Sequence, residues 1–114
     1  MRATVALVVA LALAGCKMGS KEIATEGYQA VVLDSGAVYF GKLQGLGTDY
    51  PVLTSVFYVQ TVTNAETKQT TNVLVKRGKE WHAPDRMTIN AHHILFIEPV
   101  TPGSQVASLI AQAK

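Results

Sequence analysis

Residues 28–100 alternate between short runs of β-branched and aromatic residues and short segments rich in glycine, asparagine and aspartate. The runs read YQAVVL, AVYFGKL, VLTSVFYVQTV, NVLVK and ILFIEPV, beginning at residues 28, 37, 52, 72 and 94. Runs of this length and composition are typical of strands, and segments such as Asp34-Ser35-Gly36 are typical of the turns between them. The pattern predicts a mainly β protein of five to six strands.

Three local features refine this prediction. Gly41 lies inside the second run, where a glycine indicates a bulge or a sharp bend. Asn90 precedes a short segment that is suited to a single helical turn, because asparagine is a favoured N-cap. Residues 104–113 place apolar side chains at helical spacing and predict a short C-terminal helix. A bent second strand and a helical turn before the last strand favour a small SH3-like or Sm-like barrel.

Alternation within the runs also predicts a core. Side chains that point to one face of a strand recur every second residue, so the apolar residues at that spacing are expected inside. The expected core residues are Val32, Val38, Phe40, Leu53, Phe57, Val73, Val75, Ile89, Ile94 and Phe96.

The N-terminus carries a different signal. Arg2 is followed by an apolar run that is almost unbroken from residue 3 to residue 13. A run of about eleven residues is too short to span a bilayer as a helix, but it is typical of a cleavable, helical secretory leader. The run ends in Leu13-Ala14-Gly15-Cys16, and Cys16 is the one cysteine of the chain.

This tetrapeptide resembles the lipobox of bacterial lipoproteins at all four positions. The resemblance implies that Leu13, Ala14 and Gly15 are read by the signal peptidase and that the Cys16 thiol accepts the lipid. An unpaired thiol is unusual in an exported protein, and lipidation would account for it. The alternative is that Cys16 is a buried free thiol at the end of an N-terminal helix.

The lipoprotein interpretation divides the chain into four parts. Residues 1–15 are the signal peptide, residues 16–27 the lipidated cysteine and a flexible tether, residues 28–100 the small β-barrel domain, and residues 101–114 the C-terminal helix. The protein would then be held in the cell envelope by its lipid anchor. By resemblance to enterobacterial lipoproteins, Lys17 after the cysteine points to the outer membrane of a Gram-negative cell, facing the periplasm.

Charge and motifs exclude several function classes. The formal net charge is only +2 and the basic residues form no stripe, so a nucleic-acid partner is not expected. No serine, histidine or aspartate lies in a nucleophile-elbow or phosphate-loop context, so we expect no enzyme and no cofactor. Glu80 and Asp85 flank His82 and could form an acid–base pair, although loops of this composition more often bond to themselves.

Two interpretations of the loop Glu80-Trp81-His82-Ala83-Pro84-Asp85 remain open. As a binding surface, Trp81 and His82 would contact an envelope protein, a glycan or a cell-wall peptide, with Tyr50 and Tyr58 as further contacts. The alternative is a periplasmic metal site, in which His82 joins His92 or His93 with Asp85 as a further ligand. A purely structural role is also open, in which Trp81 plugs the end of the barrel.

Several segments also carry a broader resemblance. VYFGKL, FYVQ, LVK-x-G-x-E-x-H-x-P and the pair M-x-I and ILF-x-E are similar to a family of membrane-anchored bacterial proteins without an established activity. The resemblance covers roughly residues 28–98 and implies membrane anchoring and a small barrel. It implies no catalytic residue.

Overall fold

The computed structural model describes residues 22–113, and within this range the protein is mainly β. The six strands are β1 (Tyr28–Leu33), β2 (Val38–Gln44), β3 (Val52–Thr63), β4 (Thr70–Lys76), β5 (Arg86–Thr88) and β6 (Ile94–Pro99). A 3₁₀ turn, Ala91–His93, precedes β6, and helix α1 (Gln105–Gln112) follows it. The mainly β prediction and the short C-terminal helix are therefore confirmed.

The strands form one antiparallel sheet in the order β4-β3-β2-β1-β6, and β5 also pairs with β3. Strand β2 pairs with Val52 and Thr54 of β3, and β5 pairs with the same residues. A strand has only two edges, so β5 lies on the edge opposite β2 and shares that edge with β4. The described residues include no pairing between β5 and β6, so the sheet is not closed by hydrogen bonds.

The local predictions at Gly41 and Asn90 are both confirmed. The register of the β2–β3 ladder shifts between Phe40 and Lys42, so the irregularity is centred on Gly41. The Asn90 side chain accepts a hydrogen bond from the His92 N–H and caps the 3₁₀ turn.

The core lies on one face of the sheet. Its buried residues are Val31, Leu43, Leu53, Val56 and Ile89. Cross-strand pairing places Tyr39, Val31 and Ile97 in one row on this inner face, and Val38, Val32 and Phe96 in the adjacent row on the outer face.

The predicted core was correct in part. Leu53, Phe57 and Ile89 are buried as expected, and Val32, Phe40, Val75 and Ile94 are half-buried. Val38, Val73 and Phe96 are exposed, so their assignment to the core was wrong. The reason is that both faces of β1, β2 and β6 carry apolar residues. Alternation alone therefore selected Val32 where the inner face uses Val31.

Helix α1 covers part of the outer face. Ser104 caps it by accepting a hydrogen bond from the Ala107 N–H. Ile110 is its buried residue and lines a groove with Tyr28, while Val106 and Leu109 line a second groove with Val59 and Leu74. The Tyr28 ring in turn meets the buried Phe57 ring edge-on at 6.2 Å, so the helix and the sheet form a second, smaller apolar contact.

Candidate functional site

The Trp81 loop, residues 77–85, connects β4 to β5 and is closed by two backbone hydrogen bonds. The Arg77 N–H donates to the Val56 carbonyl at 2.8 Å and fixes the loop to β3. The Ala83 N–H donates to the Glu80 carbonyl, also at 2.8 Å. This second bond closes a turn whose two central residues are Trp81 and His82.

Glu80 ties the turn back to the start of the loop. Its Oε2 accepts the Gly78 N–H at 2.8 Å, and its Oε1 lies 3.3 Å from Nε of Arg77. The Gly78 N–H, the backbone N–H of Glu80 itself and the Arg77 guanidinium hold the pKa of this carboxyl below its ordinary value of 4.5. Glu80 is therefore a structural acceptor that holds the turn.

Aromatic rings support the base of the loop. The Arg77 guanidinium lies over the Tyr39 ring at 5.8 Å, and that ring meets the Tyr58 ring edge-on at 6.5 Å. Together with Glu80 these residues line a small cleft of about 180 Å³. A cation and the ring face below it attract each other, as do two rings in edge-on contact, so these contacts favour the observed position of the loop base.

Trp81 itself is fully exposed, at 106% of its reference surface. The hypothesis that it plugs the end of a barrel is therefore wrong. The indole points outward because the residues on either side of the turn are fixed. Glu80 contacts Gly78 and Arg77, and Ala83 adopts a left-handed conformation with φ of 45°. A tryptophan is seldom left wholly in water, since its apolar surface is the largest of any side chain.

The other predicted contact residues are not gathered at this turn. His82 is exposed beside Trp81. Tyr50 is 64% exposed, and its neighbours Asp49 and Pro51 accept hydrogen bonds from the Ala91 and Ile89 N–H groups near the 3₁₀ turn. Tyr58 is half-buried and belongs to the support of the loop. Trp81 and His82 therefore lie together on the turn, whereas Tyr58 lies with Arg77 in the small cleft at the base of the loop.

The predicted metal ligands are not assembled. Across residues 22–113 no group of three or more histidine, cysteine, aspartate or glutamate side chains lies close enough to hold an ion. His93 pairs instead with Asp34, Nδ1 to Oδ2 at 2.8 Å, which joins the 3₁₀ turn to the β1–β2 turn. Asp85 contacts Arg86, whose Nε lies 3.2 Å from Oδ1, while Glu80 is held by Arg77.

Sequence reasoning missed Arg77. It lies in a group of basic residues with Lys76 and Lys79, which was interpreted only as evidence against a basic stripe. The available signal was the i, i+3 spacing of Arg77 and Glu80 across a glycine, which allows an ion pair within a tight turn. Its contact with Tyr39 has no signal in the sequence, because the two residues meet through the β2–β3–β4 pairing.

Leu13, Ala14, Gly15 and Cys16, the predicted lipidation signal, lie outside the described residues. Among residues 22–113, no helix has the length and apolar character that crossing a bilayer requires. No family model matches the chain, and no curated protein matches it at a significant level.

Proposed function

We propose that this protein is a lipid-anchored, non-catalytic interaction module of the cell envelope and that the Trp81 loop is its contact surface. The observation that carries the proposal is the complete exposure of Trp81 on a turn that is itself tied down. The partner is an envelope protein, a glycan or a cell-wall peptide.

The energetics of recognition support this assignment. Tryptophan is among the residues that contribute most to binding, because covering its ring removes a large apolar area from water. A turn already fixed by Glu80, Ala83 and Pro84 has little conformational freedom left to lose when a partner binds. An exposed ring on a pre-ordered turn is therefore suited to binding.

The proposed location rests on the N-terminal sequence. Lipidation of Cys16 would add two or three acyl chains, and at about 0.8 kcal/mol per buried methylene two chains already make release from a membrane negligible. Lys17 favours the outer membrane, on the periplasmic side. We also propose that the sheet belongs to a small barrel of the SH3-like or Sm-like type. Its strands β5 and β6 lie at opposite ends of the strand order but only five residues apart in the chain.

Trp81→Ala tests the contact surface. Crosslinking in intact cells, followed by purification of the protein, should capture an envelope partner with the wild type and fail with Trp81→Ala. The variant should unfold at the same urea concentration as the wild type, since the ring is fully in solvent. Tyr50→Ala removes another exposed aromatic side chain away from the loop and serves as the control. Equal capture by wild type and Trp81→Ala would reject the proposed contact surface.

Cys16→Ala tests the anchor separately. Cells grown with a labelled fatty acid should label the wild type and leave the variant unlabelled. Label on both proteins would reject Cys16 as the lipid attachment site.

A further inference from the structure

A second cleft, separate from the one lined by Tyr39 and Tyr58, lies at the base of the Trp81 loop. Strand β4 pairs with residues 57–63 of β3, and its last residue, Lys76, lies opposite Phe57. Strand β5 pairs with residues 52–54 of β3, and its first residue, Arg86, lies opposite Thr54. Because β4 and β5 share one edge of β3, residues 55 and 56 are left between them. The cleft opens at this gap and has a volume of about 290 Å³.

Basic residues line the cleft from both sides. Lys76 and Arg77 come from the end of β4, and Arg86 comes from the start of β5. The remaining lining residues are Ser55, Val56, Pro84, Asp85 and Met87. Three basic residues and one acidic residue thus line a single opening, and the Arg77 guanidinium is the one of the three that also contacts Tyr39 and Glu80.

The ion pairs leave an excess of positive charge. Asp85 contacts Arg86, and Glu80, outside the cleft, contacts Arg77. No carboxylate among residues 22–113 lies within ion-pair distance of the Lys76 ammonium. Lys79, in the same loop, adds a further cation without a carboxylate partner in the described part of the chain.

The backbone around the cleft is strained. Ser55 has φ of 50° and Ala83 has φ of 45°, and both values lie in the left-handed region that side chains other than glycine and asparagine avoid. Such residues cost free energy and concentrate at functional sites. Ser55 and Val56 of β3 stand opposite the single residue Gly41 of β2, so β3 bulges where the cleft opens, and Ala83 completes the turn that presents Trp81.

We propose that the cleft binds an oxyanion, a carboxylate or a phosphate group, carried by the partner that the Trp81 loop contacts. This inference rests on the proposed function and names the chemistry of the partner. The oxyanion would take the place of solvent beside Lys76 and Arg86, while the Trp81 ring, carried by the loop that contributes Pro84 and Asp85 to the cleft, covers an apolar part of the same molecule. Charge-assisted hydrogen bonds from arginine and lysine are strong enough to fix such a group.

Chemical labelling of lysines tests the cleft directly. The lipidated protein, extracted in a mild nonionic detergent, is treated with an amine-reactive ester in sodium phosphate, sodium acetate or sodium chloride of equal ionic strength. Mass spectrometry then measures the labelling rate of Lys76 and of Lys68, which is exposed at the β3–β4 turn. A bound oxyanion should slow labelling of Lys76 by about threefold at a concentration twice its dissociation constant.

Protection of Lys76 in phosphate or acetate, with Lys68 unchanged, is the expected result. Protection by phosphate alone would assign the site to phosphate groups, and protection by acetate alone to carboxylates. Arg86→Gln should abolish the protection, and its exposed side chain makes unfolding unexpected.

Equal labelling of Lys76 in all three salts would overturn the inference, as would equal slowing of Lys68 or full protection in Arg86→Gln. The labelling does not depend on the partner. Trp81-dependent capture without Lys76 protection would therefore leave the proposed function intact and reject the oxyanion site. The reverse result would retain the oxyanion site and reject the Trp81 contact surface.

Discussion

At Gly41, strand β2 lies so close to β3 that a side chain has no room. A Cβ atom built on Gly41 would lie 2.7 Å from Leu53 Cγ and 2.7 Å from the Thr54 carbonyl oxygen. One of these atoms is backbone and the other belongs to a fully buried side chain, so neither can move away at low cost. The close approach coincides with the register shift in the β2–β3 ladder.

Gly41→Ala should therefore lower the free energy of unfolding by about 2–3 kcal/mol, because the methyl group overpacks this contact. Gly36→Ala is the matched control. Gly36 has φ of +89° and no atom within 4 Å of an added Cβ, so only backbone strain of about 1–2 kcal/mol is expected there. Urea unfolding of both variants measures the difference. A Gly41→Ala variant as stable as the wild type would contradict the close approach.

Glu80 makes the Trp81 loop sensitive to acid. Its pKa in the folded protein is lower than in the unfolded chain, so its contribution is complete above about pH 4.5 and is lost as the pH falls through the lower folded value. Glu80→Gln should remove this contribution. The loss of stability between pH 6 and pH 3 should accordingly be smaller in Glu80→Gln than in the wild type, measured by urea unfolding. Glu66→Gln, in the exposed β3–β4 turn, should behave as the wild type, and the same pH dependence in Glu80→Gln would contradict the proposed role.

At the scale of elements, helix α1 gives the outer face of the sheet its only helical cover within residues 22–113. The helix has eight residues, and a helix of this length is not stable alone in water. Its stability must come from the Ser104 cap and from packing of Ile110 beside Tyr28. The helix and the outer face therefore depend on each other.

Ile110→Ala should lower the free energy of unfolding by about 2–4 kcal/mol, since the side chain is 3% exposed and its removal leaves a cavity. Gln112→Ala, an exposed change in the same helix, should stay within about 0.5 kcal/mol of the wild type. Thermal unfolding followed by far-ultraviolet circular dichroism compares the two. Equal stability of both variants would show that α1 does not pack on the sheet.

The sequence was sufficient to predict the strands and the helix, but not to predict which face of each strand is buried. Every predicted strand is present, because each run is short, rich in β-branched residues and bounded by turn formers. Phe96 was wrongly placed in the core because Leu95, Phe96 and Ile97 are all apolar and no alternation separates them. At the site, Trp81 and His82 were predicted as neighbours, but the cleft was not. The cleft between β4 and β5 is lined by the left-handed Ser55, whose conformation no residue type indicates.

At the scale of the whole molecule, residues 22–27 belong to the folded body. The Ile23 N–H donates to the Leu46 carbonyl at 2.6 Å, and the Thr25 hydroxyl donates to the Leu43 carbonyl at 2.7 Å. The Gly45 N–H donates to the Glu22 carboxylate at 3.0 Å. These contacts join residues 22–25 to residues 43–46, at the end of β2 and just after it. The sequence had suggested a flexible tether for this segment.

A fragment of residues 20–114 should unfold cooperatively with a β-dominated far-ultraviolet spectrum. A fragment of residues 28–114 should fold as well, but with a free energy of unfolding lower by about 2–4 kcal/mol, because these three hydrogen bonds are missing and the buried Gln29 side-chain amide loses its bond to the Glu26 carbonyl. Thr25→Val in the longer fragment removes one of the bonds and should give an intermediate value. Identical urea midpoints for the two fragments would show that residues 22–27 add nothing to stability.

The position of β1 between β2 and β6 has a consequence for when the chain can fold. The β1–β6 ladder pairs Gln29 with Pro99, so it cannot form until nearly the whole chain has been made. Pairings between such distant residues give folding times of milliseconds to seconds. Until β6 arrives, β1 is an open edge that can pair with another chain. A product that stops before β6 should therefore expose this edge of β1 and aggregate.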